Sequence, residues 1–286
     1  MLREAHVVIV GLGLMGASLG YDLRGHCRQV TGLVRRPESV TEALDNGCVD
    51  QATTDPAAAL PDADLVILAT PVRVLLRQIA DFGPMLKSGA VLTDMGSTKA
   101  EICRALQAAP AHVQVIGGHP MCGKEQSGLA AAEPGLYRDC TYVLCPLPRT
   151  ADASHRLMLE LVLHIGARPL VLDPHRHDRL VAAISHLPYV VSSALVAYVA
   201  AVGEQDAQVW EVAASGFRDT SRVAASEVKV MLDILLTNRP AVLAAIDDYQ
   251  ARLVELRELL ERSDEAGLRK RLEISAKARK AWQKDN

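Results

Sequence analysis

Residues 117-GGHPMCGKEQSG-128 place one imidazole, His119, between a pair of glycines and a proline. Such a segment forms little helix or strand of its own, and its glycines let the backbone approach a small molecule closely. An imidazole changes charge near neutral pH, so a histidine held in such a segment points towards catalysis. A second stretch, 9-IVGLGLMGASLG-20, sets Gly11, Gly13 and Gly16 at G-x-G-x-x-G spacing between an apolar run and an Ala/Leu-rich segment. In a strand–turn–helix context, Gly11 allows the tight turn, Gly13 the approach of a pyrophosphate, and Gly16 the packing of helix on strand. The helix N-terminus then faces the anion.

The tip of the second strand chooses the cofactor. An NAD site wants an acid there, but the chain reads 31-TGLVRRPES-39, with Val34 in that place and Arg35 and Arg36 after it. Guanidinium groups suit a 2′-phosphate by charge and geometry. The two arginines can equally be surface charges of a turn; the missing acid and the added cations together favour NADP over NAD. Leu14, Met15, Thr70 and Pro71 complete the expected cofactor contacts. Ser97, in 94-DMGSTKAE-101 at another strand end, is placed to donate to a hydroxyl or to the nicotinamide, or to cap the following helix. The strand 113–117 ends at the same crevice, which brings His119 close to the nicotinamide.

These groups need a scaffold, and the first half of the chain supplies it. Short, near-continuous apolar runs at 7–12, 30–34, 65–70, 90–95, 113–118, 142–146 and 169–173 read as parallel strands covered on both faces. The stretches between are long enough for crossover helices. The fold class is therefore α/β, a doubly wound, mostly parallel dinucleotide-binding sheet over 1–172, followed by an all-helical substrate and dimerisation domain over 173–286. Residues 180–203 are apolar and about as long as a membrane span needs, but His186, Pro188 and three serines inside them favour a long buried helix of a soluble protein. The apolar helices exceed what a small domain uses internally, which predicts a homodimer.

Composition narrows the partners. A net charge of −3 and 3% aromatic residues give no basic or stacking surface for nucleic acid, and no charge excess for a membrane. Six cysteines, Cys27, Cys48, Cys103, Cys122, Cys140 and Cys145, contain no C-x-x-C pair and match no zinc spacing. No metal is expected, and the thiols fit a cytoplasmic protein.

The segments GLGLMG, DMGSTK, GGHPMCG, SHLP and GFRDTSRVA run in this order from residue 9 to residue 224. As a set they resemble the prephenate/arogenate dehydrogenase family of tyrosine biosynthesis. The resemblance implies NAD(P)-dependent oxidative decarboxylation of arogenate or prephenate. It implies His119 as the catalytic histidine with Ser97 beside it, and Arg222 as the group that binds a substrate carboxylate. It further implies Asp219 near the site mouth, Glu125 paired with neighbouring charges, and His186 on a helix lining the pocket. Tyr189 stands where members preferring prephenate often carry a second histidine, which resembles the NADP-dependent arogenate-type members. Two other readings compete. A β-hydroxyacid dehydrogenase shares the glycine-rich start but uses a lysine on its inter-domain helix, and none occurs between Arg168 and Arg222. A non-catalytic nucleotide sensor would not need His119 or Arg222.

Overall fold

A computed structural model describes residues 1–124 and 126–284. The chain runs β1 (His6–Val10), α1 (Leu14–Leu23), β2 (Gln29–Leu33), α2 (Pro37–Asp45), β3 (Gln51–Thr53), α3 (Pro56–Ala59), β4 (Leu65–Leu68) and α4 (Val72–Phe82). It continues with β5 (Val91–Asp94), α5 (Ala100–Gln107), β6 (Gln114–Pro120), β7 (Thr141–Pro146), α6 (Asp152–His164) and β8 (Arg168–Val171). Then come α7 (Pro174–Val181), a π-helical turn at Ala182–His186, α8 (Leu187–Gln205), α9 (Ser215–Ser221), α10 (Val228–Thr237), α11 (Arg239–Glu261) and α12 (Glu265–Lys284).

The strands form one sheet in the order β3-β2-β1-β4-β5-β6-β7-β8. Every pairing is parallel except β6 with β7. The β-branched sequence His-Val-Val-Ile-Val of β1 is buried throughout. Its side chains alternate: Val7 and Ile9 enter a core with Leu19, Leu23, Leu157 and Leu161, whereas Val8 and Val10 enter another with Leu75, Ile79 and Leu106. Helices cover both faces, as the near-continuous apolar runs predict. On α4, Val72, Leu75 and Ile79 form the buried stripe. The chain reverses direction across the sheet between β1 and β4, which opens a crevice at their carboxyl ends.

Three features depart from the sequence expectation. The short strand β3 lies at one sheet edge with partly exposed residues, so no apolar run announces it. At the other edge, β8 is exposed along its whole length rather than covered. The long helix is not buried within its own chain. Pro174–Gln205 forms a continuous rod of 32 residues, long and apolar enough to cross a membrane, yet only 22% of its most apolar window is buried. Its apolar residues are spread around the axis, so one neighbour cannot cover them; Ile184 and Tyr198 are each 68% exposed.

Residues 1–239 form one compact unit and residues 240–286 a second. Within the first, α7 and α10 dock at the carboxyl edge of the sheet through polar contacts. The Asp233 carboxylate of α10 accepts from the Arg73 amide in the first turn of α4 at 3.1 Å, and the Thr98 and Thr237 hydroxyls bond at 2.9 Å. The second unit is a helical pair in which Arg271 of α12 pairs with Glu255 of α11, while Arg257 and Glu261 pair within α11.

Candidate active site

The glycine-rich turn has the geometry a phosphate needs. Gly11 has a φ of +94°, and its amide donates to Leu33 O at 2.9 Å. A Cβ on Gly16 would lie 2.0 Å from Gly11 O, so only glycine lets α1 start this close to β1. A Cβ on Gly13 would meet nothing within 4 Å, which leaves open space in front of the first turn of α1. Among the described residues no side chain caps that helix, so its first amides are available to an anion. The cradle fits a dinucleotide. Leu14 is buried, and Met15 O accepts from Tyr137 Oη at 2.5 Å, which fixes the turn. Arg35 and Arg36 are exposed just beyond β2, with Arg36 preceding α2. Thr70 and Pro71 close β4, and the Thr70 hydroxyl bonds the Gln78 amide at 2.6 Å.

Beyond this turn a different construction begins. The β5–β6 ladder pairs only Val91 with Gln114 and Leu92 with Val115. Further along, a fully buried ion pair replaces it. The Lys99 ammonium bonds the Asp94 carboxylate and donates to Gly118 O at 2.5 Å. Asp94 also accepts from the Gly118 amide at 3.1 Å and the Gly96 amide at 2.8 Å. Gly118 is held so closely that a Cβ there would lie 2.5 Å from Asp94 O. The next residue is His119, half-buried at the carboxyl edge.

His119 Nδ1 lies 2.8 Å from His177 Nε2, with the rings edge to face. His177 Nδ1 lies 2.8 Å from Asp178 Oδ1. The same carboxylate accepts from the backbone amides of Lys99 at 2.7 Å and Ala100 at 2.8 Å, capping α5 from a separate helix. Asn238 links the next histidine: its amide nitrogen donates to Asp178 O at 2.8 Å and lies 3.1 Å from His186 Nδ1. His186 Nδ1 is therefore an acceptor, and in the neutral ring Nε2 keeps the proton and donates. Burial, then the Lys99 charge and the neighbouring His177 and His186, hold the His119 pKa well below the usual imidazole range. Burial also lowers His186 to about 4, with Asp178 opposing and His177 adding to the shift. Both rings are neutral at pH 7, one of them offering a proton and the other able to accept one.

Not every expected residue joins this cluster. Ser97 is half-buried two residues before Lys99; it does not cap α5, because Asp178 does so. Tyr189 is half-buried on α8, one turn beyond His186. Arg222 and Asp219 are exposed, with Asp219 paired to Arg218 at 3.4 Å, and their segment is tied to α8 by Ser192 Oγ donating to Thr220 O at 2.8 Å. Glu125 lies outside the described residues. His177, Asp178, Lys99, Asp94 and Asn238 are the residues the sequence did not single out. The only local signal was 173-DPHRHD-178, where a capping aspartate and proline start a helix and two histidines follow.

Comparison with known proteins places this geometry. Residues 19–171 match the model of the prephenate dehydrogenase nucleotide-binding domain, and residues 173–274 that of the prephenate dehydrogenase dimerization domain. A cyclohexadienyl dehydrogenase of Zymomonas mobilis is 33% identical over 98% of this chain and 97% of its own length. The arogenate dehydrogenase structure from Synechocystis superposes with a TM-score of 0.85 at 32% identity, covering 97% of this chain and 99% of that one. The Aquifex aeolicus prephenate dehydrogenase, solved with hydroxyphenyl propionate and NAD+, gives a TM-score of 0.91 at 29% identity, covering 97% of this chain and 98% of that one.

Proposed function

This chain belongs to the prephenate dehydrogenase family, an oxidoreductase that decarboxylates its substrate as it oxidises it, and from that premise we propose that it acts on arogenate or prephenate with NADP, using His119 as the base. A bound nucleotide would supply the hydride acceptor for oxidation at the carbinol carbon of the cyclohexadienol. Gly11, Gly13 and the first amides of α1 hold its pyrophosphate, with Leu14, Met15, Thr70 and Pro71 around it. Arg35 and Arg36 hold the 2′-phosphate, and Val34 imposes no acid against it.

The single observation that carries this reading is the neutral, half-buried imidazole of His119 at the carboxyl edge of the sheet. It takes the substrate hydroxyl proton as the carbonyl forms. The new carbonyl draws electrons from the ring, the ring carboxylate leaves as CO2, and the ring becomes aromatic. His186, with its proton on Nε2, donates to a substrate oxygen. Tyr189 lies beside it and, in place of a second imidazole, favours arogenate. Arg222 binds a substrate carboxylate, with Asp219 near the mouth and Ser97 beside His119.

The exposed apolar rod Pro174–Gln205 fits a homodimer interface, as does the match to a dimerization domain. The enzyme is assigned to the cytoplasm, and its six thiols are free. Absorbance at the nicotinamide band, with arogenate or prephenate and either nucleotide, tests the substrate and cofactor together. His119→Asn is expected to lower kcat by roughly 10²–10⁴ while nucleotide binding stays near normal. Near-normal turnover in that variant would remove His119 from the chemistry.

A further inference from the structure

Asp178 bonds His177, and His177 in turn bonds His119, so the three side chains form one hydrogen-bonded series. We propose that Asp178 and His177 are positioning residues that fix the tautomer of His119, leaving its Nε2 bare to act as the base. The inference rests on His119 being that base.

The direction of each bond follows from what each group can do. An ionised carboxylate only accepts. Asp178 already accepts from the amides of Lys99 and Ala100, so the contact at 2.8 Å requires His177 Nδ1 to donate. With its single proton on Nδ1, the His177 ring carries a lone pair on Nε2. The 2.8 Å contact with His119 can be a hydrogen bond only if His119 Nδ1 donates. The lone pair of His119 is left on Nε2, the nitrogen away from the chain.

Two further features suit this assignment. His177 and Asp178 are buried, so water does not compete for their bonds. Asp178 is held by two backbone amides of α5, and so cannot turn away without uncapping that helix. When Nε2 receives the substrate proton, the cation forms on a ring whose Nδ1–H already points along a chain ending in a carboxylate. The other charged or titratable groups near His119 are Lys99, paired to Asp94, and His186. Lys99 opposes a second proton on His119 before substrate arrives. The chain favours it once transfer has begun.

The test uses the unliganded enzyme as well as turnover. Imidazole 15N chemical shifts should show His119 protonated on Nδ1 and bare on Nε2 in the wild type. Asp178→Asn presents an amide that can donate to His177 Nδ1 and reverse every bond in the chain. We expect the His119 tautomer to invert and kcat to fall by roughly 10²–10³, with KM and nucleotide affinity close to wild type. His177→Gln keeps the polarity, because its oxygen accepts from His119 and its amide group donates to Asp178. It should retain kcat within about tenfold of wild type, whereas His177→Phe should lose as much as Asp178→Asn. The proposal is overturned if wild-type His119 carries its proton on Nε2, or if Asp178→Asn changes neither tautomer nor kcat. Should Asp178→Asn fail to fold, the two His177 variants decide: equal kcat in both overturns the proposal. If the tautomer is as stated but His119→Asn still turns over normally, the base assignment fails instead, and the two failures are separable.

Discussion

The glycine turn and the His119 centre lie at the same edge of one sheet but are built in opposite ways. The turn is made by six consecutive residues, Gly11 to Gly16, and works through backbone conformation and missing side chains. The centre is assembled from residues between Asp94 and Asn238. His119 reaches 58 positions along the chain to His177, Lys99 reaches 79 to Asp178, and Asn238 reaches 60 back to Asp178. A local device can be deleted one function at a time. A long-range device couples stability, docking and protonation in the same atoms.

The sharpest way to break that contrast is Lys99→Met. It leaves the Asp94 carboxylate buried without its cation, and should cost about 3–5 kcal/mol of stability. Thermal unfolding measures this, and adding Asp94→Asn should recover part of it. A loss below about 1 kcal/mol would show the pair to be dispensable.

The next effect is pH-dependent. His186 has a pKa of about 4 in the fold against an ordinary value of 6.5. The unfolded chain therefore binds the extra proton first as pH falls. Stability from this group is complete above pH 6.5, is lost as pH drops towards 4, and is flat below. The full loss is about 3 kcal/mol at roughly 1.4 kcal/mol per unit. Urea midpoints at successive pH values check it, and His186→Gln should flatten the slope; an unchanged slope would assign the proton elsewhere.

Two alanines separate fold from function within the turn. Gly16→Ala drives a Cβ against Gly11 O and should cost about 1–3 kcal/mol. Gly13→Ala meets no protein atom, so the melting temperature should hold while nucleotide affinity falls. If both variants melt alike, the open space before α1 is not reserved for a ligand. The smallest effect concerns the cofactor. Arg35→Ala with Arg36→Ala should move the NADP/NAD ratio of kcat/KM by one to two decades, at about 1.4 kcal/mol per decade. A fixed ratio would make the two arginines ordinary surface charges.

This contrast also explains what the sequence made legible. The strands of the sheet centre and the glycine turn each depend on residues close together in the chain, and each is where the sequence puts it. The start of the His119 segment, read as a loop, is instead the end of β6, where His119 pairs with Val143 of β7 because the ladder to β7 supplies the partners its own sequence does not. The edge strand β3 lacked an apolar run because one side of it faces solvent. The stretch 180–203 read as buried, although most of it beyond His186 is not, because one chain's sequence does not distinguish burial within it from burial against a partner. His177 and Asp178 escaped notice because their function lies in a contact with His119 that only the fold creates.

The cap that Asp178 gives to α5 has a mechanical consequence. One carboxylate both terminates that helix and anchors His177. Asp233 secures α4 in the same manner from α10. Sliding α7 along α5 by one hydrogen-bond length would strip the helix end and misalign the imidazoles in the same movement. The helix end and the alignment of the imidazoles therefore depend on one and the same carboxylate. A polypeptide cut after residue 172 would lose both carboxylates and leave two helix ends open.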